Sequence, residues 1–173
     1  MPHLKHKYFI MKKLIVLLSI LSVSFANAQA FKGNTDNKLQ IGANIQENAT
    51  GINVAFDYGL GENISVGLSG AYALGVKEEL DASFGDRFDI KGRFNAHLGS
   101  VLNIDENFDL YPGLNLSLKN FGGHVGARYF FSDGFGIYAE SVFPLAKYDN
   151  DIINPAHLIH NQFVFNLGAT FSL

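Results

Sequence analysis

From about Leu39 to the C-terminus, an apolar residue recurs at every second position, in eight short runs broken by turn-forming residues. Alternation of period two belongs to strands whose two faces meet different surroundings. The informative point is where the charges fall. The apolar parity carries no charge in any run, whereas Asp57, Arg93, Arg128 and Glu140 all take the other parity. A sheet of this kind closes with apolar side chains outside and polar groups inside, the arrangement of a barrel standing in lipid. The expected fold is all-β: an eight-stranded, antiparallel, up-and-down transmembrane β-barrel.

The runs are Leu39–Ile45, Ile52–Leu60, Ile64–Leu74, Phe88–Ile104, Phe108–Leu118, Val125–Phe131, Phe135–Leu145 and Phe163–Leu173. Connectors after the second, fourth and sixth are tight: Gly61–Asn63, Asp105–Asn107 and Ser132–Gly134. Those after the third and seventh, Val76–Asp86 and Ala146–His160, are long, and those after the first and fifth are intermediate. Short turns on one side and longer loops on the other is the habit of outer-membrane barrels. An even strand number places both chain ends on one side. Pro112 and Pro144 interrupt runs where a ladder donor is needed, so each predicts a bulge or a strand end. Several runs fall short of the ~9–11 residues of a spanning strand and must extend into flanking polar residues.

The N-terminal region has a different pattern. Met11-Lys12-Lys13, the apolar stretch Leu14–Phe25 and Ala26-Asn27-Ala28 have the three parts of a secretory signal, with cleavage expected before Gln29. Residues 1–28 are read as an upstream extension plus signal, with Met1 and Met11 both open as starts, and 29–173 as one barrel domain. Cysteine is absent, which excludes disulfides and a lipid-modified cysteine. The net charge of -3 comes without a basic stripe, so nucleic acid is not an expected partner. No cofactor is expected.

The segments Phe108-Asp109-Leu110-Tyr111-Pro112-Gly113-Leu114-Asn115, Val125-Gly126-Ala127-Arg128-Tyr129-Phe130-Phe131, Ile137-Tyr138-Ala139-Glu140 and Phe163–Leu173 carry a resemblance. The chain resembles the small eight-stranded outer-membrane barrels of Gram-negative bacteria, the OmpA/OmpX type, and most of all the Bacteroidetes-type outer-membrane β-barrel domain proteins. That resemblance implies residence in the outer membrane, contact with its lipid, and delivery by the barrel assembly machinery. In those proteins the last residue is typically aromatic, whereas here Phe171 is third from the end and Leu173 is last.

On this reading Asp57, Arg128, Glu140, Arg93 and His97 point into the lumen. An Arg facing lipid at mid-depth would cost about 2–4 kcal/mol. Asp57, Arg128 and Glu140 lie a few residues from a tight-turn end and should share a level, with Arg128 and Glu140 in diagonal contact across one hairpin. Eight strands leave room only for side chains, so the expectation is a charge cluster that plugs the lumen, with a gate that admits ions as the sharper alternative. Asp89, Lys91 and Arg93 lie nearer the external rim and are expected to be solvated. The external loops 76–86 and 146–160 are the candidate surfaces for an external protein or surface ligand.

A lipid-modifying enzyme would need a nucleophile with a base in hydrogen-bond reach. Ser141, on the outward parity, and His157 and His160, flanking the last loop and expected to be solvated, supply no such spacing. An enzyme is therefore not expected. Two histidines with Asp149 and Asp151 nearby are a weak metal signal, so no metal is expected either. A soluble lipocalin-like barrel would turn the apolar parity inward. Tyr58, Tyr72, Tyr129, Phe88, Phe143 and Phe171 instead fall near strand ends, where an interfacial aromatic girdle belongs.

Overall fold

The computed structural model describes residues 29–148 and 155–173. The expected signal, its cleavage point and the metal candidates Asp149 and Asp151 lie outside the described residues. Eight antiparallel strands close in sequence order: β1 (Asn37–Gln46), β2 (Ala49–Gly61), β3 (Ile64–Val76), β4 (Phe88–Ala96), β5 (Phe108–Ser117), β6 (Asn120–Ser132), β7 (Phe135–Lys147) and β8 (Val164–Ser172). The ring shuts where β1 pairs with β8, from Lys38–Ser172 to Gln46–Val164. Strands run 9 to 13 residues, so the short apolar runs do extend into their polar flanks.

The alternation becomes two faces. Gln40, Asn53, Asp57, Asn95, Arg128 and Glu140 are buried, while Ile41, Val54, Phe56, Leu68, Ile90 and Leu116 are exposed. The lipocalin-like alternative required the reverse and is excluded by this burial. Aromatic rings gather at both ends of the outer wall. Tyr72, Phe84 and Phe88 are neighbours at one end, with centroids 5.5 and 6.3 Å apart. Tyr129, Phe131, Phe135 and Phe171 form a chain at the end carrying the termini, at 5.5, 6.3 and 5.7 Å.

Two readings of the connectors are corrected. The fourth run does not continue to Ile104: β4 stops at Ala96, and Gly99–Leu102 is a single helical turn closed by Asn103 in the left-handed region, φ 49°. A short apolar run with spacing of two and three satisfies either period. Gly99 decides the matter, because its Cα lies against the Phe108 carbonyl where a Cβ would clash. The tight Asp105–Asn107 turn is thus the tail of a longer connection, 97–107. Conversely, the intermediate connectors are two-residue turns, Glu47-Asn48 and Leu118-Lys119. Long connections therefore occur at both ends, and loop length does not sort them cleanly.

The expected bulge appears at Pro144, whereas Pro112 stays inside β5, paired with Val125, and ends only the ladder to β4. The β4–β5 ladder runs only from Lys91–Ser117 to Asn95–Gly113, and Pro112 sits where it stops. Beside Pro144, the β6–β7 register jumps from Phe121–Ala146 to Gly122–Pro144, leaving Leu145 as a bulge.

Candidate functional site: the charged lumen

Every charged residue predicted to face the lumen is inside it. Arg93 joins two carboxylates, with Nε 3.1 Å from Asp57 Oδ1 and Nη2 donating to Glu140 Oε2 at 2.6 Å. Arg128 Nη2 lies 2.8 Å from Asp109 Oδ2 and 3.2 Å from His97 Nδ1, and its Nη1 lies 4.0 Å from Asp57 Oδ2. Asp57 therefore stands between two guanidinium groups. The Arg128 and Arg93 guanidinium carbons also face the Tyr111 ring at 4.9 and 5.9 Å, and the Tyr111 hydroxyl accepts from Gln40 Nε2 at 2.9 Å. Glu140 accepts a second bond from Asn166 Nδ2 at 3.3 Å.

The expected diagonal contact between Arg128 and Glu140 is replaced by these pairs. Cross-strand register explains why: Arg128 lies opposite Asp109 on β5 and Tyr138 on β7, whereas Glu140 lies opposite Gly126. The Arg93 side chain spans the lumen to reach Glu140. Arg93 and Asp89 are not solvated, at 6% and 5% exposure. The cap above them accounts for this.

Such large polar groups fit because small residues face them. Tyr111 is opposite Gly126, where any Cβ would overlap the phenol ring, and Gly67 makes the same room for the Asp57 carboxylate. What remains open beside Glu140, His124 and Asn53 is a cavity of about 30 Å³, the space of roughly one water.

Each mouth is closed differently. At the end carrying the termini, residues 30–36 fold across the opening. Ala30 N donates to Glu106 O at 2.7 Å, Thr35 N to Gly59 O at 2.9 Å, and Asp36 Oδ1 accepts from Lys38 Nζ at 2.8 Å. The Phe31 ring stacks on His97 at 3.6 Å with an interplanar angle of 14°. At the opposite mouth, Leu80 and Ile159 pack on Ala49 and Ala73 to form a small apolar cluster. A capping box between Ser83 and Asp86 shapes the Phe84–Arg87 turn, and the Ser83 hydroxyl, donating at 2.6 Å, holds the Asp86 carboxyl below its usual range. Lys119 Nζ donates to Asp86 O at 2.6 Å.

His160 corrects a second expectation. It is buried at 4% exposure, with Nε2 2.7 Å from Arg87 O and its backbone N–H donating to Gln46 Oε1 at 2.9 Å. Burial holds its imidazole below the usual histidine range. His157 is partly buried, and Ser141 remains on the outer parity, opposite Phe165 on β8. No group of metal-ligating side chains occurs among the described residues.

Residues beyond the five expected ones, Ser65, Asn95, Asp109 and His124, complete the lumen. His97 Nδ1 is 2.7 Å from Asp109 Oδ2, and its Nε2 is 2.8 Å from Ser65 Oγ. Asn95 Nδ2 donates to the same Ser65 Oγ at 2.9 Å, and His124 Nε2 is 2.7 Å from Asn95 Oδ1. Ser65 and Asn95 are direct cross-strand partners, as are Asp109 and Arg128. A register alignment of neighbouring runs was the signal that could have found these pairs.

The sequence matches the family of unknown function DUF6646 over residues 21–173. No curated protein matches it. Among solved structures, the solution NMR structure of Outer Membrane Protein G from Pseudomonas aeruginosa is similar at 12% identity and a TM-score of 0.44, covering 83% of this chain and 99% of that one. An eight-stranded barrel with a polar, ion-paired interior is thus the architecture of a chain that belongs to the DUF6646 family.

Proposed function

We propose that the protein is an exported outer-membrane β-barrel with a closed lumen, whose role is structural or interactive at the cell surface. Both ends of the mature chain face the periplasm. The segments 76–86 and 146–160 form the external face, where a surface ligand or partner protein would bind. One observation carries this reading: apolar side chains cover the outer wall while ion pairs fill the interior. Only a surrounding that is itself apolar makes that outer wall favourable. The aromatic clusters at both ends suit the two interfaces of a bilayer. The small eight-stranded barrels that the sequence resembles share this plan.

The deciding measurement is gel mobility of the outer-membrane fraction before and after boiling in detergent. A compact band that shifts on boiling is expected. Recovery in the soluble periplasmic fraction without a shift would overturn the reading.

A narrow gated pore is the second reading, favoured by an interior lined with polar and charged side chains from mouth to mouth. A planar bilayer separates the two. The plug reading expects a silent wild type and conductance after Arg128→Ala. Steady wild-type conductance replaces the plug with a pore, and silence of both proteins removes the plug role of Arg128.

A further inference from the structure

We propose that Ser65, His97 and Asp109 form a site for ester cleavage by acyl transfer, at the mouth near the chain termini, and that Phe31 holds it shut. The three residues come from separate elements: Ser65 from the start of β3, His97 from just beyond β4, and Asp109 from the start of β5. Their geometry meets the requirement for an activated hydroxyl, a nucleophile in reach of a base that a third group orients. His97 Nδ1 lies 2.7 Å from Asp109 Oδ2 and 3.2 Å from Arg128 Nη2; with the imidazole proton on Nδ1, shared with Asp109, Nε2 is the acceptor of the Ser65 hydroxyl proton at 2.8 Å. Arg128 Nη2 lies 2.8 Å from the same carboxylate, placing a cation beside the orienting group.

With the His124 proton on Nε2, its bond to Asn95 Oδ1 at 2.7 Å and the Arg93 Nε–H donated to the same oxygen at 3.3 Å turn the Asn95 amide so that Nδ2 points at Ser65 Oγ; Arg93 Nη2 lies 3.4 Å from His124 Nε2. Asn115 Nδ2 in turn lies 3.2 Å from His124 Nδ1, as that tautomer requires. The hydrogen bonds thus run in one direction, from Asn115 through Ser65 to Asp109. Asn95 Nδ2 is also a side-chain donor placed next to where negative charge would develop on a carbonyl oxygen attacked by Ser65.

The reaction balances with water alone. Ser65 Oγ bonds to the ester carbonyl carbon as His97 Nε2 takes its proton. The carbon–alkoxy bond then breaks and the alcohol leaves with that proton. Water, deprotonated by His97, attacks the acyl-serine. A carboxylic acid departs and Ser65 regains its hydrogen.

Access is the controlled step. Ser65 and His97 are 0% and 1% exposed, and the Phe31 ring lies on His97. Beside that ring a cavity of about 330 Å³, bounded by Ala30, Gly99, Phe108 and Asp109, opens outward. Its volume is at the small end of ligand sites and suits a short acyl ester once the ring swings aside.

The test uses the full mature chain in detergent micelles, a fluorophosphonate probe and p-nitrophenyl butyrate. Phe31→Ala should be labelled at least tenfold faster than wild type, with the label on the peptide containing Ser65. Adding Ser65→Ala should abolish labelling, and adding His97→Gln should slow it at least a hundredfold. Ester hydrolysis should follow the same order. The heat-shifted band checks that each barrel is folded. If Phe31→Ala does not fold, Phe31→Leu, which keeps apolar volume but loses the ring stack, takes its place. A folded, opened barrel labelled no faster than its Ser65→Ala version overturns the proposal.

Discussion

The two mouths of the barrel are closed by opposite means. Where the termini lie, the seal is one aromatic ring over a chain of polar side chains, with Arg128, Asp109, Asp57 and Arg93 directly behind it. At the other mouth, the seal is a small apolar core, Ala49, Ala73, Leu80 and Ile159, clasped by the hydrogen bonds of His160 and Asn120. The first seal rests on charges that must stay mutually satisfied, so removing one disturbs several strands. The second resembles an ordinary protein interior, and damage to it should stay local.

The largest effect separates them first. Arg128→Ala leaves Asp109 buried without its cation, which typically costs about 3–5 kcal/mol. The expected outcome is loss of the compact gel band at a lower temperature, read as band intensity against temperature. A midpoint unchanged from wild type would falsify the view that this mouth is held by charge. At the other mouth, Ile159→Ala should cost about 2 kcal/mol, the low end for large-to-small changes because the cluster is small. Limited proteolysis should then cut within 77–87 or 146–160, while the barrel keeps its wild-type heat shift. A fall in barrel midpoint equal to that of Arg128→Ala would erase the contrast.

How far the sequence disclosed this contrast depends on how each residue is held. Asp57, Arg93, Arg128, Glu140 and His97 were placed inside by parity alone, since a pleated strand sends alternate residues to opposite faces. Their partners were not legible. Pairing inside a barrel depends on stagger and on how far a long side chain crosses the lumen, and Arg93 reaches β7 from β4. Ser65 passed unnoticed because one more serine on a polar face carries no pattern. Phe31 lies in a stretch without alternation, so nothing in its neighbourhood announced a lid. The helical turn Gly99–Leu102 is not legible either, because its apolar spacing satisfies both periods.

Two smaller effects sharpen the comparison. Phe31→Ala removes one stacked ring, worth about 1 kcal/mol beyond the area it buries, so the barrel should persist with a lower midpoint. Hydrogen exchange should rise in residues 29–36 and at His97, and not in the far cap. The smallest effect is one of pH. His160 is depressed in the folded protein, so below the unfolded value of ~6.5 the unfolded segment binds the proton more readily. The cap should therefore be at full strength above ~6.5 and loosen progressively as the pH falls towards the depressed folded value. Asp89, Lys91 and Lys119 stand nearby and set how far that value is moved. Proteolysis of the 155–163 segment at pH 7.5 and pH 5 measures it, and His160→Gln should flatten the difference.

The short β4–β5 ladder has a consequence of its own. A ring built strand by strand must join β1 to β8 last, and that joint is long, from Lys38–Ser172 to Gln46–Val164. The opposite joint is held only from Lys91–Ser117 to Asn95–Gly113. The barrel therefore closes along one line and opens first along another, and its opened wall is one continuous sheet running from β5 through the β8–β1 joint to β4.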